Sequence, residues 1–171
     1  TKEATKITAE QKKLLIREDS HKLTTPGAKV TIAEFGDFQC PACGVAHPIV
    51  SKILEEYKGK VNFVFRQYPL PNHQNGKISA LAAEAAGAQG KFFQMYDLLY
   101  SNQKDWSESK NPMEYLEQYA KQLGLDVNKF KSEVENKKYE ARIQKDVADG
   151  GGLGVSATPT FFINDQILVG G

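Results

Sequence analysis

The stretch Val30-Thr31-Ile32-Ala33-Glu34-Phe35-Gly36-Asp37-Phe38-Gln39-Cys40-Pro41-Ala42-Cys43 contains both cysteines of this 171-residue chain, and its reading decides the fold. Residues 30–35 are nearly all apolar, as a central strand buried on both faces should be. Residues 42–58 have helical character, so the Cys-x-x-Cys pair falls where a strand ends and a helix begins. The first turn of a helix brings positions i and i+3 within the roughly 4.4–6.8 Å Cα separation of a disulfide. Free N–H groups and the helix dipole favour negative charge at that point. The Cys40 thiolate is therefore predicted to be stabilised, with a pKa below the free value of about 8.5. Cys43, one turn further in, is predicted to be less accessible. The expected chemistry is asymmetric: Cys40 attacks and is attacked, and Cys43 resolves. If the Cys40 pKa falls to about 5, roughly two decades of that shift count at pH 7. That is about 2.7 kcal/mol, or about 60 mV towards oxidant for a two-electron couple. Helix placement, with the intervening Pro41-Ala42, can thus decide between reductant and oxidant.

Outward from this stretch, Val61-Asn62-Phe63-Val64-Phe65-Arg66 reads as a second strand, ended by Pro69, Pro71 and Asn72. Strand, helix and strand with short connections imply a parallel pair with a right-handed crossover. From about 76 to 147 the pattern is helical, through Ala80, Leu81, Ala83, Ala85 and Ala86 and on to Val147. Asn111-Pro112 starts one of these helices, Gly124 stops it, and Asp126 starts the next. Gly150-Gly151-Gly152 is expected to break the helical region. Thr160–Ile163 reads as a strand that turns at Asn164-Asp165 into Ile167-Leu168-Val169. The predicted fold is α/β: a mixed sheet with an all-helical insertion between a βαβ half and a closing hairpin. The expected divisions are an N-terminal extension and helix (1–27), the βαβ half (28–74), the insertion (75–149) and the hairpin (150–171). Leu14, Leu15 and Ile16 mark a short amphipathic helix over residues 8–18. The chain opens on Thr1, so an upstream signal peptide, membrane anchor or tag is expected; it closes on Val169-Gly170-Gly171, where a further element is expected to follow.

Composition excludes several classes. Forty per cent of residues are hydrophobic and 25% charged, the mix of an ordinary globular domain. No apolar run approaches the roughly 20 residues of a membrane span. Lys and Arg total 22 against 21 Asp and Glu, a net charge of +1, so there is no electrostatic footprint for nucleic acid. Two cysteines cannot make a disulfide scaffold. A Cys-x-x-Cys pair can be half a zinc site, but zinc takes four ligands, and only His21, His47 and His73 remain, without paired spacing. An inert disulfide closing so small a loop stabilises little. Redox chemistry is the reading left, with no metal and no organic cofactor required.

The run Glu34 to Cys43, together with Gly154-Val155-Ser156-Ala157-Thr158-Pro159-Thr160-Phe161-Phe162-Ile163-Asn164, resembles the DsbA-like thiol-disulfide oxidoreductases. Arg66-Gln67-Tyr68-Pro69-Leu70 through His73, and Gln89-Gly90-Lys91-Phe92-Phe93, are similar to that family as well. The resemblance covers roughly residues 28–169. It implies a thioredoxin-like fold with an inserted helical domain, and a cis bond at Thr158-Pro159 facing the cysteines. The Thr158 backbone would then meet an extended substrate chain as an added strand, and its side chain would tune the active sulfur. Alternation puts Glu34 on the face of Val30 and Ile32, which predicts burial and a raised pKa. It could then pass protons to and from Cys43, a role the resemblance supports. The implied activity is dithiol oxidation of reduced or unfolded cysteine-containing polypeptides outside the cytoplasm. A quinone-linked membrane reoxidase, DsbB- or VKOR-like, would restore the disulfide. A reductase or isomerase, and a non-enzymatic redox-sensing or chaperone-like module, remain as alternatives. Where strong oxidants of this type often carry His between the cysteines, this chain has Pro41-Ala42. A thioredoxin fold also normally ends in a covering helix; here the helix at 8–18 is the candidate to cover Ile167 and Val169. His47 reads as a surface or packed histidine, Pro48 as a bend in the helix, and His73 as structural. Trp106 reads as insertion core or a surface aromatic.

Overall fold

Two strands of β-branched and aromatic residues form the middle of the sheet. In the computed structural model, which describes residues 5–170, β2 (Val30–Gly36) and β3 (Val61–Gln67) run parallel in the register Val30↔Val61 to Gly36↔Gln67. Helix α2 (Pro41–Glu56) connects them. Strand β4 (Thr160–Ile163) pairs antiparallel with β2, and β5 (Gln166–Val169) with β4. The turn between these last two strands puts Asn164 at φ 54, a left-handed conformation that asparagine tolerates. A further strand, β1 (His21–Leu23), lies antiparallel on the outer edge of β3 and completes the order β1-β3-β2-β4-β5. The sequence reading did not include it. Three residues are too few for a period, and the strand is held by a tertiary contact. His21 stacks on Phe92 with ring centroids 3.5 Å apart, and its Nε2 lies 2.9 Å from the buried Glu84.

The insertion consists of α3 (Gly76–Ala88), α4 (Phe92–Ser101), α5 (Gln103–Trp106), α6 (Pro112–Gln122), α7 (Val127–Glu135) and α8 (Glu140–Gly152). The small side chains of α3 are buried along most of its length. The helices share one core with the sheet and α2: Phe38, Phe63 and Phe65 belong to the same cluster as Leu99, Trp106 and Leu116. Trp106 is thereby placed in the insertion core, with its indole N–H donating to Leu99 O at 2.8 Å.

Two expectations are corrected. The triple glycine does not break the helical region; α8 runs through Gly152 and stops at Leu153, before Gly154 at φ 79. The glycines serve close packing. A Cβ on Gly150 would lie 2.7 Å from the Tyr68 ring, and one on Gly152 would lie 2.6 Å from Leu14. The N-terminal helix is also shorter than residues 8–18: α1 is Ala9–Leu15, started by a Thr8–Gln11 capping box. It ends where the Arg66 guanidinium takes the carbonyls of Leu14 and Leu15, each at 2.8 Å. Residues 5–7 lie along β5 (Ile7 N–H to Asp165 O, 2.9 Å; Ile167 N–H to Thr5 O, 3.0 Å), and Ile7 and Leu15 join Phe162 and Ile167 in a second core. The N-terminal segment thus covers Ile167. Val169 stays 60% exposed.

Arg66 is fully buried, and also bonds Asp146 at 2.9 Å and Asp149 at 2.5 Å. Removing one partner of a buried charge cluster leaves uncompensated charge. Arg66→Ala is therefore expected to lose about 3–5 kcal/mol. Arg17, which meets Asp149 from a side chain 42% exposed, should lose under about 1 kcal/mol on change to alanine. Denaturant midpoints at unchanged slope measure both, and equal losses would contradict the buried-charge account.

Candidate active site

The two cysteines occupy different positions on one helix start. Cys40 is the N-cap of α2, with extended backbone (φ −63, ψ 123) and Pro41 at the first helical position, where a missing N–H costs nothing. Cys43 is one turn inside. Cys40 is 7% exposed and Cys43 0%, and both are free thiols. The Cys40 thiol is lowered to about 5. The largest cause is the hydrogen bond donated by the Cys43 thiol. Burial works in the opposite direction, and the Thr158 hydroxyl and the N–H groups of Cys43 and Ala42 lower it further. The Cys43 thiol is pushed far up, first by the same sulfur–sulfur bond, then by burial and the neighbouring charges of Cys40 and Glu34. The neighbouring thiol contributes more to this asymmetry than the amides of the helix start.

Thr158-Pro159 is cis and lies against the pair, with the Cys40 sulfur 3.4 Å from Thr158 O. Pro41 is exposed and Ala42 half-buried. An apolar groove of about 600 Å³ begins at Ala42 and Pro159 and runs between Val45 and Ile49 of α2 and Phe161 and Leu168 of the hairpin. Glu34 is 1% exposed on β2, and burial pushes its carboxyl up to about 8 against one opposing hydrogen bond, from Tyr96 at 3.4 Å. The structure therefore brings Cys40, Cys43, Glu34, Thr158 and Pro159 together, with Pro41 and Ala42 at the rim.

Several neighbours had no role in the sequence reading. Buried Asp37 accepts from the N–H groups of Gln39 and Leu70, both at 2.9 Å, and meets His73 Nδ1 at 2.5 Å. Its own carbonyl accepts from Cys40 N–H at 3.0 Å. Gln39 accepts from Asn75 N–H at 2.6 Å and donates to Ser107 O at 2.8 Å. Gln103, on the insertion, donates to Phe38 O at 2.7 Å and Cys40 O at 2.8 Å, beside Gly44, whose lack of a side chain makes room for it. These residues hold the first turn of α2 from both sides. Only Asp37 carried a local signal, as an acid three residues before the pair. His47, packed at about 5.4 Å from both Tyr96 and Tyr100 and bonded to Asp97, is a packed histidine.

Comparison with known proteins places this geometry. Residues 17–170 match the family model described as Thioredoxin. The thioredoxin-like oxidoreductase of Silicibacter pomeroyi DSS-3 is 26% identical and superposes with a TM-score of 0.78 over 96% of this chain and 90% of that one. Wolbachia pipientis alpha-DsbA1, at 24% identity, superposes with a TM-score of 0.81 over 94% of this chain and 87% of that one, a likeness of fold. A Na(+)/H(+) antiporter NhaA 1 of Salinispora arenicola (strain CNS-205) is 42% identical over 141 residues, which are 81% of this chain but 21% of that protein. The chain thus spans about a fifth of the length of that curated relative. With residues 17–170 matching the family model and a dithiol at the start of α2, the chain belongs to the thioredoxin family, and its fold carries a helical insertion.

Proposed function

We propose that the protein is a dithiol oxidase that introduces disulfides into cysteine-containing polypeptides. The observation that carries this reading is the inequality of the two thiols: Cys40 lowered to about 5 and Cys43 raised far above the usual thiol range. A substrate thiolate attacks the Cys40 sulfur of the oxidised pair. The Cys40–Cys43 bond breaks, and Cys43 leaves as a thiolate. Fully buried, that thiolate takes a proton; Glu34, protonated at pH 7, can give it. A second substrate thiolate then attacks the substrate sulfur of the mixed disulfide. Cys40 departs as a stable thiolate, and a low leaving-group pKa speeds that departure. The substrate gains one disulfide, and the pair keeps two electrons. A quinone-linked reoxidase of the DsbB or VKOR kind would take them up.

Thr158 and Pro159, beside the Cys40 sulfur, supply a stretch of backbone on which an extended substrate could pair, and the apolar groove beyond could take its side chains. The compartment in this reading is extracytoplasmic: both cysteines of the chain form the redox pair, and a stray thiol would be trapped under oxidising conditions. The antiport named in the relative is not carried over to this chain, which matches about a fifth of that protein; among the described residues no helix is long and apolar enough to cross a membrane.

The reduction potential measured against glutathione is expected to lie above the thioredoxin value of about −270 mV. A value at or below it would make the protein a reductase. Cys40→Ser should abolish oxidation of a reduced, unfolded substrate, and Cys43→Ser should accumulate mixed disulfides on gels run without reductant; full activity in both variants would end the enzyme reading.

A stability measurement tests the state of Glu34. Its folded pKa of about 8 lies above that of the unfolded chain, so the folded state holds a proton that the unfolded state has lost between about pH 4.5 and 8. Stability should fall as pH rises through that window. Glu34→Gln, which cannot ionise, should remove the slope and gain on the order of 3 kcal/mol at pH 7, while slowing turnover. A flat difference between the two proteins across this range would mean that Glu34 is ionised in the fold.

A further inference from the structure

Glu34 Oε1 and the hydroxyl of Tyr100 are among the buried polar atoms with no hydrogen-bond partner among the described residues, as is Thr158 Oγ1 beside Cys40. The first two face the same point. A Cβ built on Gly36 would lie 2.9 Å from Glu34 Oε1 and 3.0 Å from the Tyr100 hydroxyl, so the glycine in β2 keeps open the space that both atoms border. The other carboxyl oxygen, Oε2, accepts from Tyr96 at 3.4 Å. Tyr96 and Tyr100 are four residues apart on α4, one above the other on a single helix face, with rings 5.1 Å apart and nearly perpendicular. Each is 4% exposed. Their rings are held by Phe38 and Phe65 and by the His47 ring of α2, which packs on both.

The geometry points to Tyr96 and Tyr100 as positioning residues for Glu34: two hydroxyls from the inserted helices that close on its carboxylate when it has given its proton to Cys43. The inference rests on the role proposed above for Glu34. A neutral carboxyl carries its proton on one oxygen and bears no net charge. The carboxylate left after transfer has two charged oxygens in an apolar core; Tyr96 already bonds Oε2, and the Tyr100 hydroxyl borders the same space as Oε1. The transfer is balanced: the Cys43 thiolate becomes a thiol, the Glu34 acid becomes a carboxylate, and the proton that resets the pair comes from solvent. Tyr96 already reaches Oε2, and hydroxyl donation to a charged carboxylate is stronger than to a neutral acid, so the clamp favours the second state and eases protonation of the leaving sulfur.

The titratable groups bearing on this carboxyl come from several elements. Helix α2 contributes Cys43, and α4 contributes the two tyrosines; β3 and β4 present Phe65 and Phe161 in register with Glu34, without charge. Asp97 and Asp37 act on Tyr96 and Tyr100 respectively, and with burial, Cys43 and Glu34 they hold both phenols protonated well above their ordinary range. Both tyrosines therefore remain donors across the working pH.

The test is the infrared carboxyl band of Glu34 in the reduced protein, assigned by its loss in Glu34→Gln and followed against pH. Tyr96→Phe and Tyr100→Phe keep both rings. Each is expected to raise the Glu34 midpoint by about one pH unit, a tenfold loss of acidity and the size of one hydrogen bond to a charged group. The alkaline limb of turnover should move with it. Tyr119→Phe, which removes another unpartnered hydroxyl in the insertion, should leave the midpoint in place. The clamp is overturned if either hydroxyl next to Glu34 can be removed from the folded protein without moving the midpoint, or if Tyr119→Phe moves it equally. The band is read without turnover, so such a result leaves the dithiol reading standing. Activity that survives loss of Cys40 defeats that reading and leaves the titration intact.

Discussion

The hydrogen bond from the Cys43 thiol to the Cys40 sulfur exists only while the disulfide is open. In the dithiol it holds the Cys40 charge and keeps the Cys43 proton in place; in the disulfide both sulfurs are spent in a covalent bond. An interaction present in one redox state and absent in the other shifts the equilibrium by its full strength. In the proposed function, this is the interaction that would make a short stretch of helix an oxidant. The contact requires α2 to begin at Pro41, so that Cys40 lies just outside the helix and Cys43 one turn within it. The surroundings are built to fix that start. The Asp37 carbonyl takes the Cys40 N–H, Gln103 takes the carbonyls of Phe38 and Cys40, and Gln39 ties the same turn to Asn75 and Ser107.

Two of those anchors, Gln103 on α5 and Ser107 just after it, lie in the insertion, as do the tyrosines of α4. The insertion is thus more than an appended cover. It shares a continuous apolar core with β3 and α2, and the rings of Phe38, Phe65, Tyr96 and Tyr100 form the seam. Shifting the insertion against the sheet would change the position of the Cys40 carbonyl and the surroundings of Glu34 together. The other face of the sheet is held differently. There Arg66 joins the end of α1 to the end of α8 through carbonyls and carboxylates, away from the chemistry.

What could be read in the residues was what local periodicity encodes. The runs at 30–35 and 61–66 are apolar enough to be central strands and nothing else, and Pro41 and Asp126 mark helix starts by their own chemistry. The cysteine pair, Glu34 and Thr158-Pro159 were legible because each stands in a motif or on a strand face. The rest depends on contacts across long stretches of chain. Strand β1 exists because His21 meets Glu84 and Phe92, and the glycines of α8 continue a helix because Tyr68 and Leu14 fill the space where side chains would be. Tyr96 and Tyr100 read as ordinary core aromatics of an amphipathic helix. Their hydroxyls acquire meaning only once β2, 62 residues before Tyr96, brings Glu34 beneath them.

A buried carboxyl is a standing cost, because the same site filled by an apolar side chain would need no desolvation and no hydrogen bonds. Its presence makes sense where the leaving thiolate is more deeply buried than any solvent proton can readily reach. Cys43 is 0% exposed, and its thiolate would be as costly there as any unpaired ion. A proton held at about pKa 8 is available at neutral pH and can still be given up to a thiolate with no access to solvent. Lowering the Glu34 pKa to that of an exposed carboxylate would leave it already deprotonated, with nothing to give. Raising it by several units would trap the proton. The surroundings reconcile these demands by combining deep burial with hydroxyls that can follow the charge. The apolar core sets the affinity for the proton, and the phenols moderate it. In the proposed role of Glu34, the stability given up there is converted into a route for the one proton that disulfide exchange must move inside the fold.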